Sequence, residues 1–311
     1  MIDTCPYPRP TANTVTHIDS LLYFVYEREM IRIAKLNGLP SDRWTDDPVL
    51  KKYKFTNIHR RDDRVSQWII THLIEPNVSD KNLWLTLLIA RLINWPPTLQ
   101  ALIDMNVIPC APNSLHSGRT FNPAEFVRVV ESVKEDNAKV YSSAYMVYPG
   151  KEGYTNKSEF IAKRVLGEVI QNCDAIYDTI WECGPPSVER FVEALSSCFG
   201  LSTFMAGQVA ADLTYCEHLS GAVDLYTYAP IGPGSSKGLN YLHGRRPYAS
   251  WGQGDFNKAL IDINESIKTN LDIKDLSLHC VQNIMCEYSK YCRAVLGEGV
   301  PKTIYKSETQ F

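Results

Sequence analysis

The sequence predicts a mainly α, multi-helix globular fold. Apolar residues recur at helical spacing over most of the chain, and proline and glycine fall at the ends of those stretches. One short segment, Ala138–Tyr148, alternates weakly as a strand would. The first helix is expected over Thr16–Asn37, where Ile18, Leu21, Leu22, Val25, Ile31 and Ala34 share a face and Gly38 supplies the stop. Asn82–Asn94 is apolar nearly all round, which marks a buried central helix, ended by Pro96 and Pro97. Pro109–Gly118 reads as a long loop, and Pro123–Lys134 as a helix with proline in its first turn. Further helices are expected over Lys157–Asn172, Ser187–Phe199 and Thr203–Cys216, with a long last one over Asp275–Leu296. No Pro/Gly/Ser-rich linker divides the chain. The organisation is therefore one helical catalytic domain over 1–311, or two packed helical lobes of about 1–120 and 121–311.

Composition narrows the function classes. The 311 residues are 44% hydrophobic and 22% charged, with a formal net charge of −3. No global basic field announces nucleic acid, so any such contact must come from a local basic face. Nine cysteines without a CxxC pair, an odd number, fit reduced thiols in a cytoplasmic protein. The first residues, MIDTCPYPRP, lack the basic and apolar regions of a signal peptide, and Asn82–Ile93 is too short to span a bilayer. No membrane association is expected. The seven histidines are scattered, with no HExxH and no Cys/His cluster at ligand spacing, so neither a metal nor another cofactor is expected. Walker-type, GxSxG and zinc-deaminase patterns do not occur.

Four segments carry candidate chemistry. Arg43–Trp68 packs Trp44, Asp46, Asp47, Lys54, Asn57, Arg60, Arg61, Asp62, Asp63 and Arg64 between two tryptophans. Such density suits a charged ligand, whereas an ordinary charge run is a solvated face laced with ion pairs. Phe199–Ala206 reads as a helix, a turn at Gly200 and a second helix, with Asp224 following. That order resembles the helix-hairpin-helix of DNA glycosylases, whose amides hold one DNA phosphate; a plain αα-turn has the same pattern. Gly232, Gly234, Ser235, Ser236 and Lys237, with Arg245 beyond, form a glycine-rich stretch able to cradle a phosphate or simply to connect. On the last helix Glu287 and Lys290 stand three apart, near Cys286 and Tyr291, as a surface pair would.

Taken in order, Arg28-Arg32-Lys35, Trp44-Thr45-Asp46-Asp47-Pro48, Lys54-Phe55-Thr56-Asn57, Arg60–Arg64, Gly232–Asn240 and Cys286–Tyr291 resemble the α-glutamyl/putrescinyl thymine pyrophosphorylase family. That family is also seen as the helical domain of 5-hydroxymethyluracil DNA kinases and as amino acid:DNA transferases of bacteriophages. Arg61 departs from it, standing where an acidic residue is more usual. The resemblance implies hypermodification of thymine positions in phage DNA. An amino acid (glycine the first guess) or a polyamine would replace the phosphate or pyrophosphate of a 5-phosphomethyl-deoxyuridine in double-stranded DNA, in the host cytoplasm. Kinase members carry a P-loop absent from these 311 residues, which favours the transfer step. The chemistry calls for an aromatic to stack on the extruded base (Trp44, Tyr226 or Tyr228) and cations for the leaving phosphate (Arg60, Arg64, Lys237). It also calls for a base for the amine (Asp62, Asp63, Asp224 or Glu287) and an arginine for an amino-acid carboxylate (Arg28 or Arg245). The alternatives are a glycosylase acting on a modified pyrimidine, or a non-catalytic DNA-binding partner of a hydroxymethyluracil DNA kinase.

Overall fold

Gly38 does turn the chain (φ +68) after the first helix, and helix follows helix from there. The computed structural model describes residues 5–116, 118–135, 139–142, 153–154, 156–301 and 303–305. Two helices come first, α1 (Ile18–Leu36) and α2 (Pro48–Lys52). Nine follow: α3 (Arg64–Ile69), α4 (Leu83–Ile93), α5 (Pro96–Asp104), α6 (Pro123–Glu135), α7 (Lys157–Glu159), α8 (Leu166–Gln171), α9 (Cys173–Trp181), α10 (Val188–Ser196) and α11 (Thr203–Leu213). The chain ends with α12 (Pro233–Leu242), α13 (Gln253–Leu271) and α14 (Leu278–Val295). A π-helical turn, Phe160–Val165, joins α7 to α8. Among the described residues there is no strand, only isolated bridges Tyr53–Ile304 and Ala111–Thr120. Of Ala138–Tyr148, residues 138 and 143–148 lie outside the described residues, and 139–142 are irregular. No described helix is long and apolar enough to cross a membrane.

The chain divides into two compact units. Among the described residues, one is built from those up to Asp63 together with those from Tyr226 onward, the other from those between Arg64 and Leu225. The division is discontinuous in sequence, because α1 packs on α13 and α14 as well as on the segment that follows it.

In the first unit α1 buries Leu21, Leu22, Phe24 and Val25 together with Phe256, Leu260 and Ile263 of α13 and Tyr288 and Tyr291 of α14. Phe24 stands at the aromatic centre, 5.7 Å edge-on from Phe55 and 5.2 Å from Tyr291. The glycine-rich stretch is not a loop but the start of α12, with Gly232 as N-cap and Pro233 at the first helical position. Its glycines have a packing reason. A Cβ on Gly234 would lie 2.3 Å from Cys286 Sγ, and one on Gly238 2.0 Å from the Met285 carbonyl oxygen, so α12 and α14 touch backbone to backbone. Gly238→Ala is expected to destabilise the protein by about 3 kcal/mol, because backbone cannot yield as a side chain would. Gly254→Ala on α13, where a Cβ meets nothing within 4 Å, should stay within about 1 kcal/mol of the parent. Urea unfolding of the two variants checks this; equal midpoints would contradict it.

In the second unit every residue of α4 is buried, as its all-round apolar sequence predicts. Arg91 is the charge within it. Its guanidinium grips Asp212 of α11 in a fork of 2.5 and 2.6 Å and also donates to Asn94 and Ser66. The α10–α11 pair exists as expected. Gly200 between the helices has φ +81, and a Cβ there would meet Val165 at 2.9 Å, so both conformation and packing require glycine.

Candidate active site

The charge-dense segment folds around main-chain needs first. Asp47 begins α2: its carboxylate accepts from the amides of Val49 and Leu50, with Pro48 in the first turn. The same carboxylate accepts from the Tyr291 hydroxyl at 2.7 Å and the Tyr23 hydroxyl at 3.3 Å. Burial and Asp47 therefore hold the Tyr291 phenol protonated. Thr45 donates to Glu27, and Trp44 donates its ring N–H to the Leu39 carbonyl. The Trp44-to-Pro48 motif is thus a helix start pinned to the aromatic core.

The residues that follow are gathered by α1 and α14. Arg28, 3% exposed, donates to the carbonyls of Phe55 (2.9 Å) and Thr56 (3.1 Å), clasping the extended chain from inside. Burial lowers its pKa, and Glu287, Asp63 and Glu29 oppose that shift. Glu287, 4% exposed, accepts from the Thr56 amide at 3.2 Å and pairs with Lys290 one turn further along α14. Asn283 donates to the Thr56 hydroxyl at 3.0 Å. The next residue, Asn57, donates its amide to Asp63 (2.8 Å) and its side chain to the Asp62 carbonyl (2.7 Å), closing a tight loop. Asp62 faces Arg32 at 3.7 Å, and Arg32 forks onto Glu29. Arg60 is buried within the loop.

Protein crowds the Asp63 carboxyl although part of the residue still meets solvent. That desolvation raises its pKa to about 6; the Asn57 amide opposes the shift, Glu287 adds to it, and Arg60 and Arg28 oppose it. A carboxyl that titrates near neutrality, beside a second carboxylate and several cations, can exchange protons at physiological pH. Nearby on α1, Lys35 lies 4.6 Å from the Trp44 ring and 4.8 Å from the Tyr305 ring. Although exposed on its helix, its ammonium is crowded by these rings. Burial, with Arg28 and Lys54, lowers its pKa to about 8.

Arg28, Asn57, Arg60, Asp62, Asp63, Glu287 and Lys290 therefore meet in one cluster of the first unit. Several expectations change. Arg28 gives its Nε and Nη2 to the main-chain carbonyls of Phe55 and Thr56 rather than leaving the whole guanidinium open to a ligand. Asp224 is not a free acid or base: its carboxylate accepts from the Ser187 hydroxyl and the amides of Val188 and Glu189, capping α10 in the second unit. Tyr228, 6% exposed, cannot offer a stacking face, whereas Tyr226 is 52% exposed. Gly234 serves helix packing, and the Ser235 hydroxyl turns back to the Gly232 carbonyl. Ser236 is partly exposed, and Lys237 lies over the Tyr248 ring at 4.7 Å. Arg245 stacks on Trp251 and lines a cavity of about 690 Å³ with His243, Asp255 and Asp262, none of them in the cluster. Lys54 joins the chain to Thr303 through its amide, and Arg64 opens α3 in the second unit. Trp44 keeps its ring half-buried beside Lys35. Sequence reasoning did not single out Asn283, nor Thr56 beyond its place in the Lys54–Asn57 motif; an uncharged side chain that makes one hydrogen bond to a distant segment leaves no pattern along the chain.

Residues 15–300 match the family described as "5-hmdU DNA kinase, helical domain". The chain is also similar to a "5-hmdU DNA kinase" of Bacillus phage SP10, 26% identical over 305 residues, which cover 87% of this chain and 44% of that protein. The chain thus spans less than half the length of this relative. No solved structure matches.

Proposed function

This chain belongs to the family of 5-hmdU DNA kinase helical domains, and from that premise we propose that it is a phage DNA hypermodification enzyme. It replaces the phosphate of 5-phosphomethyl-deoxyuridine in double-stranded DNA with an amino acid or polyamine. The observation that carries the reading is the Asp63 carboxyl, raised to about 6 in a loop that Glu287 holds from α14. An incoming amine is an ammonium at neutral pH and must lose a proton before it can attack. Asp63 accepts that proton, with Glu287 positioning the loop and Lys290 balancing Glu287. The amine lone pair then forms the C–N bond at the 5-methylene carbon while the C–O bond to phosphate breaks, and the phosphate leaves with the bonding pair. Arg60 in the loop and Arg32 on α1, which faces Asp62, offset the charge that develops on the leaving group, with Lys54 a further candidate. Tyr226 and Trp44 remain the aromatic candidates for stacking on an extruded pyrimidine. Excision of a base is the weaker reading, since the Asp224 carboxylate is engaged at α10.

The test uses the full chain, duplex DNA containing 5-phosphomethyl-deoxyuridine, and a pool of amino acids and polyamines. Mass analysis of the digested nucleosides should show an amine-substituted thymidine and released phosphate. Recovery of the phosphomethyl nucleoside unchanged would sink the transfer reading. Free base with abasic sites would favour the glycosylase.

A further inference from the structure

A second cluster lies in the other unit, remote in sequence from every residue used above. His116, in the loop before α6, and Cys173 and Asp174, at the start of α9, bring one imidazole nitrogen, one sulfur and one carboxylate oxygen within 4.8 Å of one another. His116 Nε2 is 3.7 Å from Asp174 Oδ1, and Cys173 Sγ is 3.6 Å from the same oxygen. Tetrahedral zinc with N, O and S ligands at about 2.0–2.3 Å sets its ligand atoms roughly 3.3–3.6 Å apart. The two spacings to Asp174 Oδ1 fit such a centre with small adjustment.

Asn113 supplies the independent observation. Its carboxamide oxygen faces His116 Nδ1 at 2.9 Å, and its NH₂ donates to Cys173 Sγ at 3.2 Å. With Nδ1–H given to Asn113, the neutral imidazole turns its Nε2 lone pair toward the Asp174 carboxylate. Two acceptors thus converge at a distance too long for a hydrogen bond between them. The Asn113 NH₂ is placed to serve a metal-bound sulfur, as an outer residue does around a metal; without a cation, burial and the Asp174 carboxylate keep the Cys173 thiol protonated. Cys173 is buried, His116 is 13% exposed at its side chain and Asp174 78%, so the pair of buried donors opens to solvent on the carboxylate side. Tyr177 closes the other flank, its ring 5.3 Å from the imidazole.

We propose that His116, Cys173 and Asp174 bind a zinc-class divalent cation, with Asn113 orienting the imidazole and the sulfur and solvent completing the tetrahedron. On binding, the cation displaces the Cys173 thiol proton to solvent and forms a metal–thiolate bond; no electron is transferred. The two anionic donors balance the dication, so the site is neutral. The cation ties the loop before α6 to α9. The expectation that the chain holds no metal rested on ligand spacing along the sequence, which cannot register ligands brought together from separate segments.

The experiment takes the full chain after chelator treatment. Zinc is titrated in competition with a chromophoric chelator, and cobalt(II) is added to a second sample for absorption spectra. One zinc per chain is expected, together with the intense near-ultraviolet thiolate-to-cobalt band and the visible bands of a tetrahedral ion. His116→Ala and Cys173→Ser should each weaken zinc at least tenfold, and Cys173→Ser should abolish the thiolate band while Cys183→Ser preserves it. Absence of a thiolate band in the parent overturns the proposal without reference to any variant. So does zinc binding that His116→Ala and Cys173→Ser, shown to be folded by circular dichroism, leave unchanged.

Discussion

Arg91→Ala is expected to destabilise the second unit by about 3–5 kcal/mol, the usual consequence of leaving one member of a buried ion pair without its partner. Arg91 is 2% exposed and Asp212 is fully buried. Removing the guanidinium strips two hydrogen bonds from the carboxylate and one each from Asn94 and Ser66. Asp212→Asn keeps the shape but leaves a buried cation facing a neutral amide, so a loss of similar direction follows. The replacement of both by apolar residues, Arg91→Met with Asp212→Leu, should recover much of the loss because neither charge then requires solvation. Urea unfolding of the parent, Arg91→Met, Asp212→Leu and the double variant measures the coupling. Single variants as stable as the parent would show that the fork contributes nothing to the α4–α11 contact.

Asp63→Asn carries the largest expected effect on chemistry, a fall of about 10²–10³-fold in amine transfer. An asparagine still accepts from the Asn57 amide and preserves the loop, but it cannot take a proton. In the parent the transfer rate should climb as pH rises through about 6, where Asp63 ionises, and that limb should be missing from the residual activity of the variant. Stability gives a second reading of opposite slope. The folded pKa lies above the unfolded carboxylate value of about 3.9, so the folded protein retains a proton that the unfolded chain has lost. This group's contribution is therefore fully present below about pH 4 and is lost as pH rises to about 6. In Asp63→Asn that dependence should flatten. Unchanged pH profiles for both transfer and unfolding would remove Asp63 from the mechanism. Glu287→Gln can still accept from the Thr56 amide but no longer balances Lys290, and a loss of about tenfold is expected.

The places where the sequence was readable share a property: the physics that shapes them is local. Asn82–Asn94 lacks a polar face, so burial of α4 follows without knowing its neighbours. α14 and the α10–α11 pair follow from spacing, Ser277 and Ser202 caps, and Gly200. The 19-residue α13 is absent from the expected helices although Phe256, Leu260, Ile263 and Ile267 recur on one face. The glycine-rich stretch that precedes it shows why glycine is ambiguous. A phosphate cradle and a close helix crossing both demand a missing Cβ, and only the position of Met285 and Cys286 decides between them.

Charge density between Trp44 and Trp68, the helical class and the resemblance to a DNA-modifying family all came from residues read in order. The use of each charge did not. Arg28 serves carbonyls, Asp47 and Asp224 serve helix starts, and Asp63 stands in a crowded pocket. His116 meets Cys173 only because the loop before α6 passes the start of α9. A charged side chain interacts with whatever the fold places within a few ångströms, and that distance is independent of separation along the chain. Helix-forming patterns repeat within a few residues and can be seen in sequence, whereas the partners that set a carboxylate's protonation or a ligand's geometry were decided by tertiary contact alone.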